Sequence, residues 1–456
     1  PVAPFPRSDR RRSPRATARL ELLRAALGLL RGALALPSAW IEGEGLRAET
    51  LDCVRHAQAP GWTEPPAPEA RALTLFIAAA EASGETHAVS LVRALRRRLE
   101  QAGAPPPRLL GFGGERLAAE GVELLGNPVD RATMDAGEAA RGVGFYAGLL
   151  ERLAACLDAE PVDAFVSVDS PALHVPMASV ARSRGVRTVH FIAPQYWAWA
   201  PWRAARYRRV MDLGLTILPF EPEWFRRRKV RVAHVGHPIL ETLPQVPPPE
   251  DPARRDLVLL PGSRAAEIRD NLPWLLDRLE ALELEPGRPV VVLQTSDRHR
   301  HQIESLLAEH GQGARAHLRI APLHEGLATA RTALAVSGTV LLEVAHHRLP
   351  TVVLYRVVGG WKPLLKGLLL APWFSKPNLL AGEEVLPEFG FVGEGEPERF
   401  EATARRLDQD EASRGAVRRG LDRAFRRLGP PGAADRAAAL VLAEATGTLP
   451  SNPGNA

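Results

Sequence analysis

Cysteine is nearly missing from this chain: Cys53 and Cys156 are the only two in 456 residues. They have no metal-type spacing and offer no disulfide framework, so a reducing cytosol is the expected compartment. No uncharged apolar run reaches about eighteen residues, which argues against a spanning helix. HExxH, Cys/His clusters and the P-loop are all missing, so the sequence gives no reason to expect a metal or a cofactor. No repeat of solenoid period is present, which sets aside repeat architectures. The chain opens on Pro1 rather than Met and is readable as a piece of a longer frame.

The composition is that of a globular protein, 45% hydrophobic and 24% charged, and the length suffices for two or three domains. The formal net charge of +5 favours an anionic partner, whether nucleotide, phospholipid surface or nucleic acid, without choosing among them.

Residues 1–70 read as a basic extension. Its first fifteen residues are rich in Pro and Arg and lack the apolar content for a core. Leu20, Leu23, Leu27, Leu30 and Leu34 then share one helical face. This suits a basic amphipathic helix on anionic lipid, a degenerate signal segment, or a helix docked on the main body. Residues 57–70 are Pro-rich and read as a linker.

From Leu73 onward, apolar runs of strand length alternate with helical patterns. The runs are 73–80, 109–112, 164–168, 188–192, 213–218 and 232–235. A Pro-rich stretch interrupts them at 240–253, and they restart at 257, 290, 318, 332 and 351. This predicts α/β architecture with two Rossmann-like doubly wound domains, 71–245 and 253–448, facing across a cleft. Ligands of such sheets sit beyond the carboxyl ends of the strands.

The centre of the pattern is Leu257 to Ile268. There an apolar run stops at Pro261-Gly262-Ser263-Arg264 and a helix opens. Backbone N–H groups at such a joint suit a phosphate, and Arg264 adds a permanently charged fork. The plain alternative is an ordinary strand–turn–helix joint. A second joint of this kind, Ser337-Gly338-Thr339, is followed by Glu343 about one turn later, where a carboxylate suits ribose hydroxyls. Together the two joints favour a nucleotide-diphosphate site. In the first half, Glu81 to Glu85 (EASGE) ends the first strand and offers hydroxyl and carboxylate groups for a sugar. Asp169 ends a buried apolar run before Ser170-Pro171. It reads either as a desolvated general base or as the cap of the following helix. Tyr196, Trp197, Trp199 and Trp202 suit sugar stacking, an acyl pocket or core packing. Residues 357–377 mix Trp, Leu and Lys without acids and read as a membrane or acyl contact, or as a buried helical hairpin. Asp408-Gln409-Asp410 reads as surface despite its formal metal-like pattern.

Taken as an ordered set, these motifs resemble one family. EASGE, GFGGERLAAEG (111–121), VDSP (168–171), TVHFIAPQYWAW (188–199), LPFEPEWF (218–225), VGHP (235–238), LLPGSRAAEI (259–268), SGTVLLE (337–343), VVLYR (352–356) and PNLLAGEEVLPE (377–388) are similar to the lipid-A-disaccharide synthases, inverting glycosyltransferases of GT-B fold. The resemblance implies UDP-2,3-diacylglucosamine as donor and 2,3-diacylglucosamine 1-phosphate as acceptor. The product would be the β-1,6 disaccharide with UDP released. It further implies Asp169 as base on the acceptor hydroxyl. Gly262, Ser263, Arg264, Ser337, Gly338, Thr339, Glu343, Tyr355, Arg356 and Asn378 fall on the donor side, and Ser83, Gly84 and Glu85 on the acceptor side. No nucleic acid is implied. A cytoplasmic enzyme at the inner-membrane surface, possible as a homodimer, with its last helices packing on the N-terminal domain, is the expectation. The chain departs from the pattern at Glu85 (usually Asp), at Ala172-Leu173-His174 after Pro171, and at Ala193-Pro194-Gln195-Tyr196. The segment 129–150 is only loosely similar to the family's apolar membrane-facing stretch. The alternatives are another UDP-sugar enzyme of this architecture, such as a 2-epimerase or a transferase to a different lipid, and a non-catalytic binder.

Overall fold

The computed structural model describes residues 12–57, 61–67, 70–130, 139–244, 254–285, 287–294, 297–310, 318–357 and 370–449. Most of the 357–377 segment and part of the Pro-rich stretch at 240–253 lie outside these residues, as does part of 129–150. The chain divides into two compact units. Unit 1 is Pro1–Gly43, Ala57–Glu241 and Pro430–Ala456, and unit 2 is Glu44–His56 and Thr242–Gly429.

Unit 1 holds a seven-stranded sheet: β1 (Thr74–Ala79), β2 (Arg108–Phe112), β3 (Glu123–Gly126), β4 (Ala164–Val168), β5 (Arg187–Phe191), β6 (Leu213–Thr216) and β7 (Val232–His234). The spatial order is β3-β2-β1-β4-β5-β6-β7, and every pairing is parallel. Such strands are covered on both faces, which is why β1 and β4 read as nearly continuous apolar runs. Phe76 anchors the core between Phe112 and Phe165, with ring centroids 5.1 and 5.8 Å away.

The last helix of unit 1, Ala433–Thr446, packs on the helix Ala82–Gln101 and on β4 and β5. Its small side chains permit close approach, and polar contacts at its rim fix it. Arg436 Nε donates to Val235 O at 2.8 Å, and Arg231 pairs with Glu444 at 2.7 Å. The long helix Pro14–Arg55 contributes to each unit. In unit 1 its Glu21, 2% exposed, accepts from Ser179 Oγ at 2.9 Å and from Arg206 Nη2 at 2.7 Å. A buried carboxylate bonded in this way docks that part of the helix. Leu23 and Leu27 face solvent. In unit 2, Cys53 and Val54 are buried and Arg47 donates to Pro372 O.

Unit 2 holds six parallel strands: β8 (Asp256–Leu260), β9 (Val290–Gln294), β10 (Leu318–Pro322), β11 (Ala330–Val336), β12 (Thr351–Val357) and β13 (Glu388–Val392). Their order is β10-β9-β8-β11-β12-β13. Trp274 packs on Phe400 and Phe391 at 5.0 and 5.3 Å. The Asp408-Gln409-Asp410 run is at the surface for Gln409 and Asp410 but not for its first residue. Asp408 is buried, ion-paired with Arg288 and bonded to Thr332, while Asp410 caps the helix Glu411–Arg426 through Ala412 N and Ser413 N. No helix of the described residues is long and apolar enough to cross a membrane, and no metal-type cluster exists among them.

Candidate active site

Each sheet reverses its winding once. In unit 1 the reversal lies between β1 and β4, and in unit 2 between β8 and β11. At such a point the loops leaving the two strands diverge and open a crevice beyond their carboxyl ends. The segments singled out in the sequence are the ones found there: 81–85, which closes the turn after β1 and opens the helix Ala82–Gln101, 169–171 after β4, 261–264 after β8 and 337–339 after β11.

In unit 1 the crevice is narrow. A Cβ on Gly84 would stand 3.3 Å from Val168 O and 3.8 Å from Asp169 Cβ, so only glycine lets these loops meet without displacement. Asp169 is half-buried at the end of β4 and not behind the sheet. Asp169 and Ser170 both have left-handed backbone, with φ of 56° and 44°. For non-glycine residues this costs of order 1–3 kcal/mol each, so the surroundings must over-determine it. They do so at four places. Asp169 N donates to Phe191 O at 2.9 Å, and Asp169 O accepts from His174 Nδ1 at 2.6 Å and His190 Nε2 at 3.0 Å. Ser170 Oγ donates to Glu81 Oε1 at 3.1 Å. Ser170, not Asp169, holds the N-cap position of Pro171–Ser183.

His174 and His190 are completely buried, and burial lowers them to about 4 and about 3. Both rings are therefore neutral near pH 7. Each donates its one N–H to Asp169 O, and the other nitrogens, His174 Nε2 and His190 Nδ1, have no hydrogen-bond partner among the described residues. A lone pair tolerates that position better than an N–H would.

Glu85 is placed differently from expectation. It is 4% exposed, its Oε1 accepts from Leu117 N at 3.1 Å, and it lies against Gly114 at the start of the helix Glu115–Ala119. Its job is to cap that helix; of its neighbours, Ser83 is exposed and Gly84 is buried.

In unit 2, Gly262 has φ of +123°, and a Cβ there would strike Glu267 Cβ at 2.5 Å. The turn lets Glu267 fold back over the helix Ala265–Leu276. Its Oε2 accepts from Ser263 N at 3.0 Å and Arg264 N at 3.3 Å, and its Oε1 from Arg264 Nη1 at 3.0 Å. The two loop N–H groups expected to meet a phosphate thus hold a carboxylate of the chain itself. The Arg264 side chain remains 79% exposed and oriented by that carboxylate. Beyond β11, Gly338 and Thr339 are exposed, and Ser337 Oγ donates to Phe374 O at 2.9 Å. Glu343 is half-buried. Burial raises its carboxyl above the usual range, and its Oε2 lies 3.8 Å from His324 Nδ1 without a hydrogen bond.

Tyr355, 41% exposed at the end of β12, stacks on Phe374 with centroids 4.9 Å apart and planes within 8°. Two other residues expected on the donor side are consumed by structure. Arg356 donates to Asp270 O and Gly393 O, both at 2.6 Å, and pairs with Glu394 at 2.7 Å. Asn378 is fully buried. Its Nδ2 donates to Leu386 O and Glu388 Oε1, and its Oδ1 accepts from Val385 N and Leu386 N. Glu388 accepts in turn from Phe374 N and Ser375 N, each at 2.7 Å. Asn378 and Glu388 therefore act on the site from behind, by seating Phe374 under Tyr355 and beside Ser337.

The sequence profile of the family described as Lipid-A-disaccharide synthetase matches residues 75–438. The chain belongs to the lipid-A-disaccharide synthase family. It is similar to the lipid-A-disaccharide synthase of Myxococcus xanthus, 36% identical over 81% of this chain and 96% of that one. The enzyme of Azotobacter vinelandii is 34% identical over 69% and 84%. In fold, the chain is similar to a S. aureus MnaA–UDP co-structure, with TM-score 0.53, 12% identity, and 80% and 94% of the two chains covered. A Listeria monocytogenes structure assigned as a UDP-N-acetylglucosamine 2-epimerase gives 0.51 and 11% over 76% and 91%. These two likenesses speak for the fold, which is of GT-B class; the family is an enzyme family of glycosyl transfer. Helix Pro14–Arg55 precedes the matched span. Within the lipid-A-disaccharide synthase span, His174, His190, Glu267 and Glu388 went unnoticed as site residues in the sequence. His190, Glu267 and Glu388 stand inside the quoted motifs, but all four bond chiefly to backbone groups, and such bonds leave no periodicity to read. The one available signal was position: His174 lies five residues after Asp169, where the helix turns back on the strand end.

Proposed function

We propose that this chain condenses UDP-2,3-diacylglucosamine with 2,3-diacylglucosamine 1-phosphate, forming the β-1,6 disaccharide 1-phosphate and releasing UDP. The observation that carries the reading is the placing of Asp169 against Gly84 at the reversal point of the unit 1 sheet, in a chain of this family. The Asp169 carboxylate takes the proton of the acceptor 6-hydroxyl as its oxygen forms a bond to the donor anomeric carbon. The bond from that carbon to the diphosphate breaks on the opposite face, with inversion. Charge developing on the leaving diphosphate is met by Arg264, a permanently cationic fork already aimed by Glu267. Gly338 and Thr339 present backbone to the same group, Glu343 accepts from ribose hydroxyls, and the Tyr355 face receives the nucleotide. Ser83 and Gly84 meet the acceptor. Arg356, Asn378 and Glu85 hold their loops in place. A 2-epimerase needs no acceptor base, so the setting of Asp169 favours transfer over that alternative.

The lipid substrates bring the enzyme to the inner-membrane surface. Leu23, Leu27, Val143, Tyr146 and Trp199 of unit 1 are exposed large apolar side chains. Arg203 lies over the Trp199 ring at 4.6 Å. Apolar groups beside cations suit an anionic lipid surface.

The test is incubation with the two acylated glucosamines, with the product identified by mass and UDP measured. The disaccharide and equimolar UDP are expected. Asp169→Asn should lower kcat by about 10²–10⁴-fold with UDP binding unchanged. Wild-type turnover by that variant would overturn the base assignment, and UDP release only with another acceptor would overturn the substrate assignment.

A further inference from the structure

We infer that His174 and His190 form the positioning device of the catalytic base, two neutral imidazoles that together fix the Asp169 carbonyl and so aim the Asp169 carboxylate. The inference rests on the reading of Asp169 as base and adds residues that act through it.

The geometry has three parts. The Asp169 carbonyl accepts two N–H groups, from His174 on the helix Pro171–Ser183 and His190 on β5, which uses both of its lone pairs. The Asp169 N–H is held separately by Phe191 O. Both peptide planes flanking the Asp169 Cα are thereby anchored, with the backbone held left-handed and the Asp169 Cβ beside Gly84. The rings stand nearly perpendicular, 85° apart with centroids separated by 6.2 Å, so they approach the carbonyl from two directions.

The choice of imidazole also has a chemical reason. A cationic donor beneath Asp169 would hold its carboxyl down and weaken it as a base. Complete burial keeps both rings neutral, so they supply directed N–H dipoles without a full charge. Each ring has one N–H, and both are spent on the same oxygen. The remaining nitrogens carry lone pairs and have no hydrogen-bond partner among the described residues. Lysine or arginine at either position would bring the charge along with the donor.

The test compares three sets of variants in the full chain. His174→Asn and His190→Gln keep an amide N–H at about the reach of the original nitrogen. His174→Leu and His190→Leu remove it. His174→Gln and His190→Asn keep the amide and change its reach by one methylene. The first set should retain kcat within about threefold. The leucine set should lose about tenfold to a hundredfold, the scale of a misplacement near 1 Å, with KM for the UDP-sugar and UDP affinity unchanged. Should a leucine variant fail to fold, the changed-reach set carries the comparison and should show the same loss. In the Asp169→Asn background none of these substitutions should reduce the residual rate further, because the group they aim is already gone. Leucine or changed-reach variants with wild-type kcat would overturn the inference, as would a full additional loss in the Asp169→Asn background. Failure of the base assignment itself is read separately, from Asp169→Asn alone.

Discussion

The buried imidazoles under Asp169 make unit 1 sensitive to acid in a way that can be calculated. In the folded chain His174 and His190 titrate at about 4 and about 3, first because burial penalises the charged ring, with the bond to Asp169 O as a partial offset. In the unfolded chain each titrates near 6.5. Between these values the unfolded state holds the extra protons, so stability is intact above about 6.5 and is lost as pH falls. The slope is about 1.4 kcal/mol per pH unit for each ring, or about 2.7 for the pair. Because both folded values lie below 5, the loss from neutrality to pH 5 is set by the unfolded value and comes to about 4 kcal/mol. This is a large part of the stability a domain usually has. The comparison protein is the His174→Asn/His190→Gln double variant, which keeps two donors that do not titrate. Native-state hydrogen exchange of the β4 and β5 amides reports on unit 1 by itself, and is followed from about pH 7.5 to pH 5 with intrinsic exchange corrected. The wild type should lose about 4 kcal/mol more than the variant over that range. Other titrating groups cancel in the difference, among them Tyr207, which touches His190 and is driven further from its ordinary range by burial. Parallel pH dependences would refute the reasoning, since they would mean that the rings are solvated or charged in the folded protein.

Two further outcomes follow from side chains that meet backbone or solvent. Asn378→Ala strips partners from Leu386 N and Leu386 O in a buried loop, while Val385 N keeps Glu383 O at 3.1 Å. At about 1–3 kcal/mol for each of these two orphaned groups, the variant should lose at least about 2 kcal/mol and about 6 °C in the unfolding midpoint of unit 2. Its UDP affinity should fall as well, because Glu388 loses one of the groups that hold it against Phe374. A change below about 1 kcal/mol in calorimetry would show that the amide is not seated as described. For the membrane reading, Leu23→Glu/Leu27→Glu should weaken sedimentation with anionic vesicles by more than tenfold, the equivalent of about 2 kcal/mol of lost apolar burial. Unchanged sedimentation would place the contact elsewhere.

Much of the fold could be read from the sequence because parallel strands are buried on both faces. β1, β4, β8 and β11 are largely apolar runs that stop at Glu81, Asp169, Pro261 and Ser337, and such runs are visible without any neighbours. The two strands that escaped notice are edges. β3 is four residues, none of them fully buried, and β13 interrupts its apolar pattern with Gly390. An edge strand needs apolar packing on fewer sides, so its sequence carries less of the signal. Asp408 escaped for the opposite reason. Its neighbours are polar, but its partner Arg288 is 120 residues away, and no local pattern announces a buried ion pair closed over that distance.

At the site, the sequence showed which loops carry chemistry and could not show which of their side chains face outward. Ser337, Gly338, Asp169 and Arg264 belong to short motifs whose backbone geometry is largely local, and these stand at the strand ends as expected. Glu85, Arg356 and Asn378 belong to equally clear motifs, yet their polar groups are spent on Leu117, on Asp270 and Gly393, and on the loop 385–388. The difference is one of supply. A loop that must hold an unusual backbone course beyond a strand end has few regular partners for its N–H and C=O groups, and these must be bonded by something. In this chain the bonding falls to residues inside the same motifs, or to histidines one element away. A polar residue in a binding motif is thus as much a claim about the loop's own hydrogen bonds as about a ligand's. Glu267 shows both uses in one side chain, since the carboxylate that satisfies Ser263 and Arg264 N–H is also what orients the Arg264 guanidinium.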